Sequence, residues 1–370
     1  MSSTLTWEKV TTLDLGLDAR FFNDALGVTF DWYNRTTSDI LTTANLPATL
    51  GADAPYENMG TIQTKGWELA IDYRHTFKNG LHFGVTASVA DDKTEVTKWT
   101  YNTKIPSYGA TGWWDKSAYK EGMVLGDIWG LQFDCFLTED DFNADGSLKA
   151  GLPDQTKVFP AGYQFAPGDV LYKDLDNNGE IVKQTNTNDK GDLSVIGNAL
   201  PRLQFGLNLD AAWKGFDISM FFQGVAKRKL WAAGNQVLPG FTTGEPFYKG
   251  AEDYWTPENT DAFYPRPMDY KQSASGNYSV NDRYLLNMAY LRLKTFTVGY
   301  SLPKVWLSKF KVQGLRVYFT GENLFTIDGV KPAIDPEIGI RTASGKSDQR
   351  NFGRSYPYQK TVSFGIQLSL

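Results

Sequence analysis

Residues 174–181, DLDNNGEI, set oxygen-bearing side chains at Asp174, Asp176 and Asn178, followed by a glycine at 179. Carboxylate and amide oxygens on alternate residues around a glycine turn suit a hard cation, and Ca2+ is the one this spacing favours. The twelfth position, counted from Asp174, is Thr185 rather than a bidentate glutamate, so Asp189 or Asp192 would have to supply the last ligand. A cation-free reading stands beside it: Asp and Asn bond their own backbone and glycine takes the left-handed region. A fainter copy, 141-DFNADGSL-148, has Leu152 at its twelfth position.

Aromatic rings are the second chemical resource. One stretch carries Trp99, Tyr101, Tyr108, Trp113, Trp114, Tyr119 and Trp129; another carries Trp231, Tyr248, Tyr254 and Trp255. Exposed rings beside Asp, Asn and Arg can stack on sugar rings, whose C–H faces are apolar. The alternative is that these long segments need small cores of their own. Trp113, Trp114, Trp129 and Trp231 are the candidate substrate-binding residues, and Tyr254 and Trp255 are expected to be structural. No Ser-His-Asp arrangement, H-E-x-x-H or Walker loop occurs, so no catalytic residue is assigned and the chain is not expected to be an enzyme.

Composition narrows the field further. Lys and Arg total 37 against 42 Asp and Glu, without a basic block, which speaks against nucleic acid. One cysteine, Cys135, excludes an internal disulfide, and two histidines exclude a multi-His metal centre. His82 falls on the polar side of its strand pattern and reads as solvated. The opening residues, MSSTLTWEKV, show no basic stretch leading into an apolar run, and no segment is long and apolar enough for a membrane helix. Aromatics reach 14% while mean hydropathy is only −0.37, so large apolar residues are interleaved with polar ones.

The elements that must position these residues are strands. Nine segments show period-two alternation: 12–21, 26–35, 64–76, 81–90, 202–213, 216–222, 289–302, 314–324 and 360–370. In 201-PRLQFGLNLDAAWKGFDISMFFQG-224, Phe205, Leu207, Leu209, Ala211 and Trp213 share one face. Phe216, Ile218, Met220 and Phe222 continue that face after a Lys214-Gly215 turn. The segment 289–302 slips: Leu291 and Leu293 lie on one parity, Phe296, Val298 and Tyr300 on the other, so a bulge is expected near Lys294 or Thr295.

The connections alternate between short and long. Asn23–Ala25, Lys78–Gly80, Lys214-Gly215 and 303–313 are short, whereas 36–63, 91–200, 223–288 and 325–359 are long. A soluble sandwich has no reason to gather every long loop at one end, whereas an outer-membrane barrel does, with short periplasmic turns and long extracellular loops. The fold class expected is therefore all-β, an antiparallel transmembrane β-barrel segment of about nine to ten strands, its greasy face toward lipid. Nine strands with one end outside do not close alone, so residues 1–370 are expected to be the C-terminal part of a larger barrel. A soluble or surface β-protein that binds or hydrolyses glycan is the alternative reading.

Several phrases resemble SusC/RagA-type TonB-dependent outer-membrane transporters of Bacteroidetes. They are 5-LTWEKVTTLDLGLDARFFNDALGVTFDWYNRTTSDIL-41, 58-NMGTIQTKGWELAIDY-73, 168-GDVLYKDLDNNGEI-181 with 196-IGNALPRLQFGLN-208, 254-YWTPENTDAFYPR-266, 290-YLRLKTFTVGYSLP-303 and 315-LRVYFTGENLFTI-327. Together they cover essentially the whole chain. The resemblance implies a barrel of about 22 strands with a plugged lumen, the plug and TonB box lying outside this sequence. It also implies import of oligosaccharides or peptides with a SusD-like lipoprotein as lid, and energy from the TonB complex.

If the greasy face meets acyl chains, Leu207→Arg places a charge in lipid at a cost of about 2–4 kcal/mol and should block assembly. Asn208→Arg, one residue along and facing the lumen, should be tolerated. The check is recovery of each variant from outer-membrane fractions, and equal recovery of both contradicts the assignment.

Overall fold

The computed structural model describes residues 5–43, 55–100, 119–186, 189–232, 234–241, 247–268, 276–308, 312–331, 334–337, 342–343, 346–347 and 356–370. Nine long strands dominate: β1 Lys9–Phe21, β2 Leu26–Thr43, β3 Tyr56–Thr76, β4 His82–Trp99, β5 Arg202–Trp213, β6 Phe216–Lys227, β7 Tyr290–Ser301, β8 Gly314–Glu322 and β9 Thr361–Ser369. They form one antiparallel sheet in strict chain order. A short strand, Thr326–Asp328, extends β7's pairing past the end of β8. Among the described residues the sheet is open, with β1 and β9 as its edges.

The register aligns apolar residues into rows that cross the sheet. One row reads Ala19, Val28, Ile71, Ala87, Leu207, Phe222, Leu293. Another reads Phe21, Leu26, Tyr73, Val85, Leu209, Met220, Phe296. The opposite face is polar, as in the row Ser219, Thr297, Thr320, Ser363, where the Thr297 and Thr320 hydroxyls meet at 3.2 Å. It also holds ion pairs: Arg20 to Asp72 at 2.7 Å and Arg316 Nε to Asp217 at 2.9 Å. Large side chains of the apolar face remain exposed, among them Leu15, Leu17, Ile71, Val317 and Phe364. So extensive an uncovered face is foreign to soluble monomers. From Phe205 to Trp213 the strand runs about 27 Å, and a tilt of about 40° leaves about 21 Å of height, near the apolar band of an outer-membrane barrel. No helix among the described residues is long and apolar enough to cross a membrane.

The tight turns have the backbone that their residues allow. Lys214 and Gly215 both take positive φ, 49° and 88°, as a type I′ hairpin requires. A Cβ on Gly215 would sit 2.7 Å from the Ser301 carbonyl oxygen, so glycine is required twice over there. Beside this turn Trp213 donates its indole N–H to the Asn79 carbonyl at 3.3 Å, and Lys214 sits 4.5 Å above the Trp213 ring. An apolar ring with its polar atom turned to the turn end is what a membrane interface selects.

Two sequence expectations meet different outcomes. The bulge falls on Lys294: Phe221 pairs with Thr295 and Phe222 with Leu293, leaving Lys294 between them. That one extra residue puts Leu291 and Leu293 on the same face as Phe296, Val298 and Tyr300. The long-loop bounds at 36–63, 91–200 and 223–288 need correction, because β2, β3, β4 and β6 extend into them. The ladder continues from Arg35–Thr64 to Thr43–Tyr56, and the Thr64 and Thr94 hydroxyls bond at 2.8 Å. Apolar alternation stops there, but backbone pairing needs no apolar face, and threonine suits a strand.

The bulge also anchors the segment after β8. Arg292 bonds Asp335 at 2.7 Å, Glu337 at 2.6 Å and the Thr326 hydroxyl at 2.7 Å. Lys294 reaches Glu337 at 3.0 Å, the Tyr290 hydroxyl donates to Glu337 at 2.8 Å, and the Tyr358 N–H donates to Asp335 at 3.0 Å. Arg292 and Asp335 are both about 4% exposed, so neither charge has water to fall back on. Burial works to raise the Asp335 carboxyl, but the Arg292 guanidinium and the Glu337 and Tyr358 N–H groups outweigh it and hold it below the usual range. The strap is therefore stabilised above about pH 4, the ordinary carboxylate value, and loses this contribution as pH falls through the depressed one. Asp335→Asn removes one partner from a buried ion cluster and should cost about 3 kcal/mol locally. Faster proteolysis within 326–358 at neutral pH is the expected result.

Candidate functional site

The long segments at one end of the sheet fold into a cap with shared cores. One core joins Ile128 and Ala199, from the β4–β5 connection, to Leu230, Leu238, Tyr264 and Tyr284 from the β6–β7 connection, with Val330 from beyond β8. A second gathers Leu131, Phe136, Tyr172, Ile181 and Leu193 with Trp255 and Ala262. A charged pair lies beside the second core, its aspartate buried and its arginine partly exposed. Asp169, fully buried, accepts from Arg266 Nε at 2.8 Å, Asn277 Nδ2 at 3.0 Å and the Ala166 N–H at 2.9 Å. Burial opposes the Arg266 charge, yet Asp169 more than offsets it, and Arg266 holds its proton more tightly than usual. Gly168, at φ 90°, lies under Trp255, whose ring atoms would be 2.5 Å from any Cβ there. The stretches 168–181 and 254–266 are thus two sides of one contact.

The turn at 174–179 is built from Asx hydrogen bonds. Asp174 accepts the Gly179 N–H at 2.8 Å, Asp176 accepts the Asn178 N–H at 3.1 Å, and Asn178 Oδ1 accepts the Glu180 N–H at 2.7 Å. Asp192 arrives from the following strand region, accepting from Leu175 at 2.8 Å and Val182 at 2.7 Å. Oxygens of Asp174, Asp176 and Asp192 lie within 4.8 Å of one another, and among the described residues these three carboxylates are the group that could hold a hard cation. Asn178 commits its oxygen to Glu180. The Gly179 N–H holds the Asp174 carboxyl below its usual range, whereas desolvation, with Asp192 and Asp174 nearby, raises Asp176.

An aromatic groove of about 550 Å³ opens in the β6–β7 connection. Its floor is Tyr264 and Tyr278. Tyr264 lies parallel to Tyr284 with ring centres 6.0 Å apart, and Tyr278 meets Tyr284 edge-on at 5.3 Å. The Tyr264 hydroxyl donates to the Val237 carbonyl at 3.0 Å, and burial pushes it up to about 12, so it remains a donor at neutral pH. Exposed Phe247, Tyr248 and Tyr254 form the rim with Lys249 and Glu252, and Pro239, Pro265 and Pro267 complete the lining.

Of the four predicted rings, the two within the described residues lie against different cores. Trp113 and Trp114 lie outside the described residues. Trp231 is corrected from ligand platform to core: it is 2% exposed, leaving no face for a sugar. Trp129 is partly buried against the second core, and its indole N–H is buried without an acceptor among the described residues. Trp255 is buried as expected, but Tyr254 beside it, expected to be structural, is 40% exposed and lines the groove. Sequence reasoning missed Phe247 and the three prolines. Their only signal was the density of Pro and aromatic residues through 239–267.

Comparison with known proteins gives a consistent picture. The profile of the family described as TonB dependent receptor-like, beta-barrel, matches residues 2–324. TonB-dependent receptor P3 of Formosa agariphila is 28% identical, over 99% of this chain and 34% of that protein. TonB-dependent receptor SusC of Bacteroides thetaiotaomicron is 24% identical, over 100% of this chain and 32% of that protein. The chain therefore spans about a third of the length of the relatives it matches. Among solved structures, the RagAB peptide transporter superposes with a TM-score of 0.66 at 20% identity, over 98% of this chain and 35% of that one. Sheet order, register and family profile agree, and the chain belongs to the TonB-dependent receptor β-barrel family, with the fold of its SusC- and RagA-like transporters.

Proposed function

We propose that this chain forms part of the barrel wall and outer cap of an outer-membrane nutrient importer. The observation that carries this reading is the sheet itself: continuous apolar rows on one face, polar rows and ion pairs on the other, and the long connections gathered at one end. The apolar face contacts lipid, the polar face lines the lumen, and the cap faces the cell exterior. Cargo is an oligosaccharide or a peptide, captured with a SusD-like lipoprotein, and the TonB complex supplies energy through a plug. The named relatives support TonB dependence, and the RagAB likeness supports the fold. The chain's own contribution is the polar passage and the first contact with cargo. No enzymatic role is proposed.

The Asp174–Asp176–Asp192 cluster has a subordinate place in this scheme. If it takes calcium, the ion would brace the turn next to the second cap core rather than touch cargo.

Membrane partitioning separates the importer from a soluble or surface glycan-binding protein. Expressed in its native cell, the protein should fractionate with outer membranes and migrate faster on gels before heating than after. A monodisperse product that remains soluble without detergent would overturn the importer reading.

A further inference from the structure

The rim of the sheet that carries the short turns is basic as well as aromatic. We propose that it is a docking surface for the headgroups of anionic phospholipid in the periplasmic leaflet. The inference rests on the importer reading for its orientation and for the apolar face meeting lipid.

Three successive turns make the surface. Lys78 lies between β3 and β4, Lys214 between β5 and β6, and Lys304 opens a helical turn, Lys304–Leu307, after β7. The turns are bound side by side: Trp213 donates to the Asn79 carbonyl at 3.3 Å, and the Ser301 N–H donates to the Gly215 carbonyl at 2.8 Å. Each lysine is two strands from the next, about 10 Å at ordinary strand spacing. That separation is about one Debye length at 0.1 M salt, so the three charges act as a row. The stretches 76–81, 213–216 and 301–308 contain no Asp or Glu. All three lysines are exposed, and among the described residues none joins an ion pair. Nearby acids on the lumenal face are already answered, Asp72 by Arg20 and Asp217 by Arg316. The chain carries a formal net charge of −5, so the row is a local excess against the overall sign. It does not extend to the β1–β2 turn, which has Asp24 and no lysine.

Direction and depth place these charges at headgroup level. Trp213 shares the apolar face with Leu207 and Leu209, and Lys214 Nζ sits 4.5 Å above its ring, on the lipid side of the wall. On the same face His75 pairs with Phe83, and Phe83 with Ala211, one alternation short of Trp213. His75 stands between Tyr73 and Phe77, with ring centres 6.4 and 4.5 Å away. An imidazole is costly in hydrocarbon, so its level is where acyl chains give way to polar groups. Val305 and Trp306 are 77% and 61% exposed at the same rim, apolar side chains free to enter the acyl boundary. Lysine stems lie along such surface while their ammonium groups stay with the phosphates. Charge selects an anionic headgroup over a zwitterionic one, and the exposed rings select a lipid over a soluble anion.

The test is electron spin resonance on protein purified from outer membranes and reconstituted in phosphatidylcholine bilayers. The probes are phosphatidylglycerol and phosphatidylcholine, each spin-labelled on an acyl chain, and the readout is the motionally restricted fraction of each. Phosphatidylglycerol should associate at least twofold more strongly, with the ratio falling toward one at 1 M salt, where the Debye length is about 3 Å. Lys78→Gln, Lys214→Gln and Lys304→Gln combined should abolish the preference, while arginine at the same three positions should keep it. Combining Lys149→Gln, Lys173→Gln and Lys190→Gln in the cap makes the same change in net charge and should leave the preference intact. Excess inorganic phosphate at constant ionic strength should not reduce it. Equal association of the two lipids with the wild-type protein, a preference that survives the turn substitutions, an equal loss from the cap substitutions, or displacement by phosphate would each overturn the docking surface. Restricted phosphatidylcholine reports lipid against the apolar face whatever the headgroup preference, so failure of the lysine row and failure of the importer reading are distinguishable.

Discussion

The structure depends on backbone pairing. A strand in lipid has no water to satisfy its N–H and C=O groups, so each must find a partner on a neighbouring strand. Here the seven inner strands meet that demand by running up and down in chain order with a partner on each side, while β1 and β9 are paired on one side among the described residues. Pairing fixes register, and register decides whether apolar residues line up. A slip of one residue on β5 would turn Leu207 and Leu209 to the lumen and Asn208 to lipid. The rows through Leu207 and Leu209, unbroken from β1 to β7, show one register serving both requirements. The Lys294 bulge is the one correction this needs on β7, and it delivers Lys294 to the ion cluster that holds the strap.

Above the sheet the physics changes. The connections bury apolar side chains against one another, and the charged groups taken in beside them are answered individually. Asp169 has Arg266 and Asn277; Arg292 has Asp335 and Glu337. Such clusters are weak sources of net stability but costly to break, so they specify which segment docks where. The result is a cap made from three separate connections, whose aromatic groove is floored by residues already fixed in its core.

Much of the sheet was legible in the sequence, because alternation at period two is a direct record of two solvents. The slip between Leu293 and Phe296 even located the bulge. Strand ends on the long-loop side were not legible: Thr36, Thr37 and Ser38 pair as strand without an apolar face to announce it. The cap was the least legible. Trp231 and Tyr254 both look like loop aromatics, yet one is core and the other rim, since that choice depends on contacts between segments far apart in the chain. The carboxylate cluster was partly legible. Asp192 was one of two candidates for the missing ligand, and the following strand brings it to Asp174 and Asp176.

The central claim is that one face of this sheet meets lipid and the other water. Single cysteines along β5, in a Cys135→Ser background, test it directly through reaction with a membrane-impermeant maleimide in isolated outer membranes. The account predicts that Gln204→Cys, Asn208→Cys and Asp210→Cys react, while Phe205→Cys, Leu207→Cys and Leu209→Cys are protected. Labelling without that alternation, or faster labelling at 205, 207 and 209, would contradict it.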